Sequence, residues 1–257
     1  MEILAVHSAK GGVGKTTTAV NLAGAIAEGG KRVLLVDVDA QGSASIALGV
    51  RTDGLALAEA LVGAGPLPIM RTKTSGVDLV PSGRAVGGAE KALTRELGGE
   101  GVLRDKLAKV VGYDMVILDP PPALGLLAVA ALVAANRVVV PGSPHPLALF
   151  GVADMLQALN TIRERLNSRL ELAGILLTMV DRRTGLAREV EDDLRQRFGD
   201  KVLRTVIRQT VKIAEASGHA MTVLAYAPES LGAIDYRDLS KELSERIWRT
   251  ENVAQSA

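Results

Sequence analysis

The chain has 257 residues, 47% of them apolar and only 2% aromatic, with 30 basic and 29 acidic side chains and a formal net charge of +1. Cysteine is absent, which excludes a disulfide framework, a thiolate zinc site, an iron–sulfur cluster and a cysteine nucleophile. The balanced charge leaves any polyanion-binding surface to local arrangement, no apolar run reaches the ~20 residues that span a bilayer, and no signal peptide is expected.

The first apolar run, Ile3–His7, reads as a strand, and no helix-turn-helix module is expected ahead of it. It leads directly into Ala9-Lys10-Gly11-Gly12-Val13-Gly14-Lys15-Thr16-Thr17 and a helical pattern over Thr16–Glu28. A glycine-rich turn between strand and helix lets backbone N–H groups approach phosphate oxygens, and the helix points its positive end at the same anion. Gly11, Gly12, Val13, Gly14 and Thr17 are therefore expected to cradle phosphates. Lys15 would supply a cation to the β and γ phosphates, and the Thr16 hydroxyl would ligate magnesium. Ala9 stands where such loops usually have glycine. Lys10 admits two readings: a solvated loop charge, or a cation that reaches a nucleotide held by a facing subunit, as an arginine finger does.

Arg32–Val36 is the next expected strand and feeds Asp37-Val38-Asp39-Ala40-Gln41-Gly42. Further strands are expected at Val77–Val80, Met115–Leu118, Arg137–Val140, Gly174–Met179 and Val202–Ile207. Helices are expected at Gly101–Val111, Gly151–Leu166, Leu186–Phe198 and Ser230–Arg249, and the Ala-rich stretch Leu124–Ala135 reads as a buried helix behind Pro120-Pro121-Pro122. Strands alternating with helices predict one α/β domain over 1–257, a mostly parallel twisted sheet with helices on both faces, and a polar tail at 250–257. In such a sheet ligands bind outside the carboxyl ends of strands. Asp37, Asp39 and Asp119, each at or just past the end of a strand, can then all face the phosphates. Asp119 would hold magnesium through water, with Thr16 and Asp39 completing the metal set, and Asp39 would orient the attacking water. An acid at a strand end is also a common turn former, so that alternative stays open for Asp119.

Together these segments resemble the ParA family of chromosome and plasmid partition ATPases (Soj-like), within the deviant Walker A group of P-loop proteins. Lys10 through Thr16 match K-G-G-x-G-K-[ST]; Asp37, Asp39, Gln41 and Gly42 match D-x-D-x-Q-G; Asp119, Pro121 and Pro122 match D-x-P-P. Thr178-Met179 with Asp181 looks like the adenine-side segment, and Val202 to Ala216 is similar to the late strand and helix near nucleotide and DNA, with Arg208 among the nucleotide residues. The resemblance implies ATP and Mg2+ as cofactors and slow ATP hydrolysis. It also implies a homodimer in the ATP state with Lys10 contacting nucleotide across it, Asp39 serving hydrolysis and Asp119 sensing the γ-phosphate. A ParB-like adaptor would stimulate the reaction in a nucleoid-associated, cytoplasmic protein. The family often shows Pro-Arg-Asn where this chain has Arg208-Gln209-Thr210.

Related branches fit less well. The nitrogenase-reductase branch needs cysteines for its cluster, and the tyrosine-kinase branch a tyrosine-rich tail; here no tyrosine follows Tyr236. The MinD branch carries a C-terminal membrane helix. The stripe Leu239, Leu243 and Ile247 lies opposite a mixed-charge face with Asp238, Lys241, Glu242, Glu245 and Arg246, which reads as a helix packed on the sheet, and no membrane partner is expected.

Between Arg182 and Lys212 nine basic residues face five acids. A solvated face with paired charges is one reading. The other, favoured by the resemblance, is nonspecific binding of double-stranded DNA by a dimer that doubles the patch, with Arg183, Arg204, Arg208 and Lys212 as the phosphate contacts. A protein cargo instead of DNA is the alternative the same residues would serve.

Overall fold

The computed structural model describes residues 1–145 and 148–254, the side chains of 248–254 excepted. Eight strands form one sheet: β1 (Glu2–Val6), β2 (Val33–Asp37), β3 (Met70–Arg71), β4 (Val77–Val80), β5 (Met115–Asp119), β6 (Arg137–Gly142), β7 (Glu171–Val180) and β8 (Val202–Arg208). Their order is β3-β4-β2-β5-β1-β6-β7-β8. All pairings are parallel except the two-residue contact of β3 with β4. The central strands are near-continuous Val, Leu and Ile runs because both faces of a parallel sheet are covered.

The helices are α1 (Lys15–Glu28), α2 (Ser43–Ala47), α3 (Leu55–Val62), α4 (Val86–Leu93), α5 (Val102–Leu107), α6 (Leu126–Ala134), α7 (Ala148–Arg165), α8 (Gly185–Phe198), α9 (Val211–Gly218), α10 (Val223–Tyr226) and α11 (Leu231–Ala254). Alternate strand residues feed opposite cores. Leu4, Leu35 and Ile117 pack with α1, α9, α10 and α11 on one face. Ala5, Leu34, Val36 and Leu118 pack with α3 through α7 on the other. The stripe Leu239, Leu243 and Ile247 is buried in the first core, as expected of a helix packed on the sheet. Among the described residues no helix is long and apolar enough to cross a membrane.

The strands expected from sequence are all present, and β7 is longer than predicted. The helix expected at Gly101–Val111 is shorter, because Gly99–Gly101 forms a separate 3₁₀ turn ahead of α5. The proline-rich segment Pro141-Gly142-Ser143-Pro144-His145-Pro146 begins inside β6, to which Pro141 and Gly142 belong, and its Pro146 lies outside the described residues. So do 255–257 of the polar tail, while 250–254 continue the backbone of α11.

Candidate functional site: a phosphate loop at the strand ends

β1, β2 and β5 are neighbours, so the loops leaving their carboxyl ends converge. Between β1 and α1 the chain turns through Gly12 and Gly14, both left-handed (φ 72° and 77°). A left-handed α conformation is costly for any residue with a Cβ, which explains glycine at these two positions. Gly14 is also the N-cap of α1 and offers no capping side chain, so the first N–H groups of α1 have no side-chain cap and suit an anion. Thr178, buried on β7, clamps the loop from behind: its hydroxyl lies 2.9 Å from the Val13 carbonyl and 3.3 Å from that of Gly142.

Lys15 begins α1, is buried, and donates from Nζ to the Lys10 carbonyl at 3.1 Å. Burial lowers its pKa, while the charges of Asp119 and Asp39 raise it. Lys10 itself is solvent-exposed, as are Gly11 and Gly12.

The acids come from adjacent strands in register, Asp37 opposite Asp119. Both are buried. Asp37 is spoken for: it accepts hydrogen bonds from the Ser45 N–H (2.9 Å), the Ser45 hydroxyl (2.7 Å) and the Asp39 N–H (3.2 Å). Burial still pushes its carboxyl up to about 6. Asp119 differs. Both of its oxygens are buried, and among the described residues neither has a partner at hydrogen-bond distance; burial, reinforced by Asp37, holds it well above the usual carboxylate range, with the nearby Thr16 hydroxyl and Lys15 pulling the other way. An unpartnered buried carboxylate is costly unless something pairs with it. Asp39 sits half-buried in the following loop, its carboxylate accepting the Gln41 N–H at 2.9 Å.

This donor set fits magnesium, which takes hard oxygen ligands and is usually held by one or two carboxylates plus substrate phosphates. Among the described residues no cluster of three or more His, Asp or Glu would cage a metal unaided. Thr16 and Asp119 would hold the ion, with Asp39 beside them. Magnesium bound there would neutralise charge on the β and γ phosphates. The chain's own contributions would be the loop N–H groups, the Lys15 ammonium and the Asp39 carboxylate in the adjoining loop, a group able to orient water.

A cavity of about 650 Å³ opens from the loop. Gly12, Gly14, Lys15, Thr16 and Thr17 line one end; Thr178, Met179, Ile207, Arg208, Gln209 and Thr210 line the other, with Val20, Ile46, Ile213 and Tyr236 between. Met179 has φ 54° at the end of a strand, strain of the kind that collects at ligand sites. Asp181, expected beside it, does not line the cavity. Its carboxylate is taken by Arg183 on the same turn, through Nε at 2.9 Å and Nη2 at 2.8 Å, which lowers its pKa to about 2. Sequence reasoning gave no role to His7, which is buried just past β1 with neither ring nitrogen partnered among the described residues. It gives no role to Ser45 or Tyr236, whose parts depend on contacts distant in the chain, and marks Gln209 only within the departure from Pro-Arg-Asn.

The family model for an AAA domain matches residues 1–172. The chromosome-partitioning ATPase Soj of Thermus thermophilus is 46% identical over 244 residues, 95% of this chain and 96% of the relative. The chain belongs to the Soj/ParA family of ATPases. The sporulation initiation inhibitor protein Soj of Bacillus subtilis is 40% identical, covering 95% of this chain and 98% of its own length. Among solved structures, a cobyrinic acid a,c-diamide synthase from Mycobacterium smegmatis with bound ATP analogue and magnesium superimposes with TM-score 0.85 at 36% identity, covering 98% of this chain and 97% of that one. Soj/ParA membership makes the chain an ATPase that uses ATP and Mg2+.

The four basic residues expected to meet DNA in this Soj/ParA chain are spread over β7–α8, β8 and α9, and each has an acidic partner. Arg183 pairs with Asp181, Arg204 with Glu242 and Glu245, Arg208 with Asp235, and Lys212 with Glu215. Arg183, Arg204 and Lys212 remain more than half exposed at the side chain.

Proposed function

We propose that this chain is an ATP-dependent switch. ATP joins two copies into a sandwich homodimer, the dimer binds double-stranded DNA without sequence preference, and a ParB-like adaptor stimulates hydrolysis and releases it, driving chromosome or plasmid segregation on the nucleoid. The observation that carries this reading is the placement of the two loop lysines. Lys15 is buried beside two acids, whereas Lys10 is exposed on the outer side of the same loop, where its charge suits a phosphate presented by a facing copy. The name of the Thermus relative supports the chromosome.

The test is binding to a duplex of arbitrary sequence with ADP, ATP and a nonhydrolysable analogue at several salt concentrations. Binding that needs ATP and weakens steeply with salt supports the switch on DNA, since each neutralised phosphate releases counterions. Absence of binding in every nucleotide state overturns the DNA part. A second reading, an ATPase positioning a protein or membrane-associated cargo, is favoured by the ion-pairing of all four basic candidates, which leaves their face less positive than the sequence count suggests.

A further inference from the structure

The two ends of the nucleotide cavity differ in chemistry. Near α1 the lining is built for phosphate. At the far end, where β7 and β8 finish side by side, the polar side chains are Thr178, Arg208, Gln209 and Thr210, and three of the four are already engaged. The Thr178 hydroxyl holds the phosphate loop. The Thr210 hydroxyl accepts the Lys212 N–H as the N-cap of α9. Arg208 is gripped by Asp235, whose buried carboxylate takes the Arg208 backbone N–H at 2.8 Å, Nε at 3.0 Å, and Nη2. Freeing that guanidinium would strand a buried charge.

Gln209 stands apart. Its backbone is fixed, the N–H donating to the Val180 carbonyl at 3.1 Å beside Met179. Its side chain is exposed, and among the described residues the carboxamide has no hydrogen-bond partner. Among the described residues it is the only carboxamide that lines the cavity.

We propose that Gln209 selects the base of the nucleotide, its carboxamide pairing with the N6 amino group and N7 of adenine. A carboxamide presents an acceptor and a donor in one plane, and this edge of adenine presents a donor and an acceptor, so both hydrogen bonds form together. The same edge of guanine carries two acceptors, O6 and N7, which leaves the Gln209 oxygen facing another oxygen. A guanidinium would suit those two acceptors, and Asp235 keeps the guanidinium of Arg208 in the cavity wall occupied. Met179 and Ile213 supply apolar surface for the purine faces.

The proposal rests on the cavity being the nucleotide pocket. The experiment measures the Kd of Mg-ATP and Mg-GTP by equilibrium dialysis for the wild type, Gln209→Leu, Gln209→Glu and Lys15→Ala, with a melting curve for each. The wild type should prefer ATP. Gln209→Leu should weaken ATP roughly tenfold and leave GTP unchanged, the size expected for losing one bidentate contact. Gln209→Glu keeps an acceptor for N6 but loses the donor to N7, and should fall between. An unchanged ATP-to-GTP ratio in folded Gln209→Leu and Gln209→Glu overturns the proposal. Lys15→Ala reports separately: loss of both nucleotides alike supports the pocket, and undiminished binding would sink the pocket assignment rather than the role of Gln209.

Discussion

The Lys15 ammonium donates to the backbone carbonyl of Lys10, 3.1 Å away, so the two lysines of the phosphate loop are joined through main chain and not through their charges. A phosphate entering the loop would replace that carbonyl as the partner of Lys15. Lys15→Ala is therefore expected to abolish nucleotide binding. Lys10→Ala keeps the carbonyl, so single-copy binding of ATP should survive within about twofold, while ATP-dependent dimerisation is lost. Fluorescence titration and sedimentation with a nonhydrolysable analogue separate the two. Normal dimerisation of Lys10→Ala would sink its role across the interface.

Asp39 is expected to matter after binding. Among the described residues its carboxylate is held by the Gln41 N–H alone, leaving the other oxygen able to orient water. Asp39→Ala should bind ATP and dimerise but hydrolyse at least about a hundredfold more slowly, as expected for removal of a base or water-positioning group. Single-turnover hydrolysis alongside sedimentation reads this; hydrolysis at the wild-type rate would place the water elsewhere.

His7 makes stability depend on pH. Burial, with Lys15 adding to it, lowers its pKa from 6.5 to about 4. The unfolded chain therefore binds a proton more readily than the folded one between those values, and stability present above pH 6.5 is lost as pH falls toward 4, by up to about 3 kcal/mol. Asp37, raised to about 6, acts in the opposite sense: its contribution is present in acid and lost as pH rises through 6. The variant His7→Leu removes only the first effect. Denaturant unfolding at pH 7 and pH 4.5 should show it gaining on the wild type in acid, and parallel curves would refute the assignment.

Ala220 closes the turn after α9 with φ 56°. A Cβ in that region costs roughly 1–2 kcal/mol, partly offset by the greater freedom glycine has when unfolded. Ala220→Gly should stabilise the protein by about 1 kcal/mol, read as a higher denaturation midpoint at unchanged slope; a lower midpoint would show that the turn is not strained.

The phosphate loop and both acids were legible because each is a contiguous motif on a strand long enough to show its pattern. The elements that escaped are short or interrupted, so that no period registers: β3 has two residues, α10 four, α2 five, and α3 and α4 eight each, α4 with Gly87-Gly88 inside it. The far wall of the cavity was only half visible. Met179 and Arg208 were anticipated, but the engagement of Arg208 by Asp235 joins residues 27 apart through packing of α11 on β8. Asp181 shows the converse. The family resemblance placed it beside the base, and a local pairing with Arg183 takes its carboxylate.

The loop after β2 is held at both ends. At one, Asp37 grips Ser45, whose hydroxyl oxygen in turn receives the Ser82 N–H at 2.9 Å, and the Val38 N–H is tied to the Asp119 carbonyl. At the other, Gly42 lies so close to the Ser82 backbone that an added Cβ would come within 2.7 Å of its carbonyl oxygen. Only the short arc from Asp39 to Gln41 hangs between these two posts. Asp39 sits on that arc, so its carboxylate is carried by three residues whose flanks are pinned to the sheet and to the Ser82 backbone.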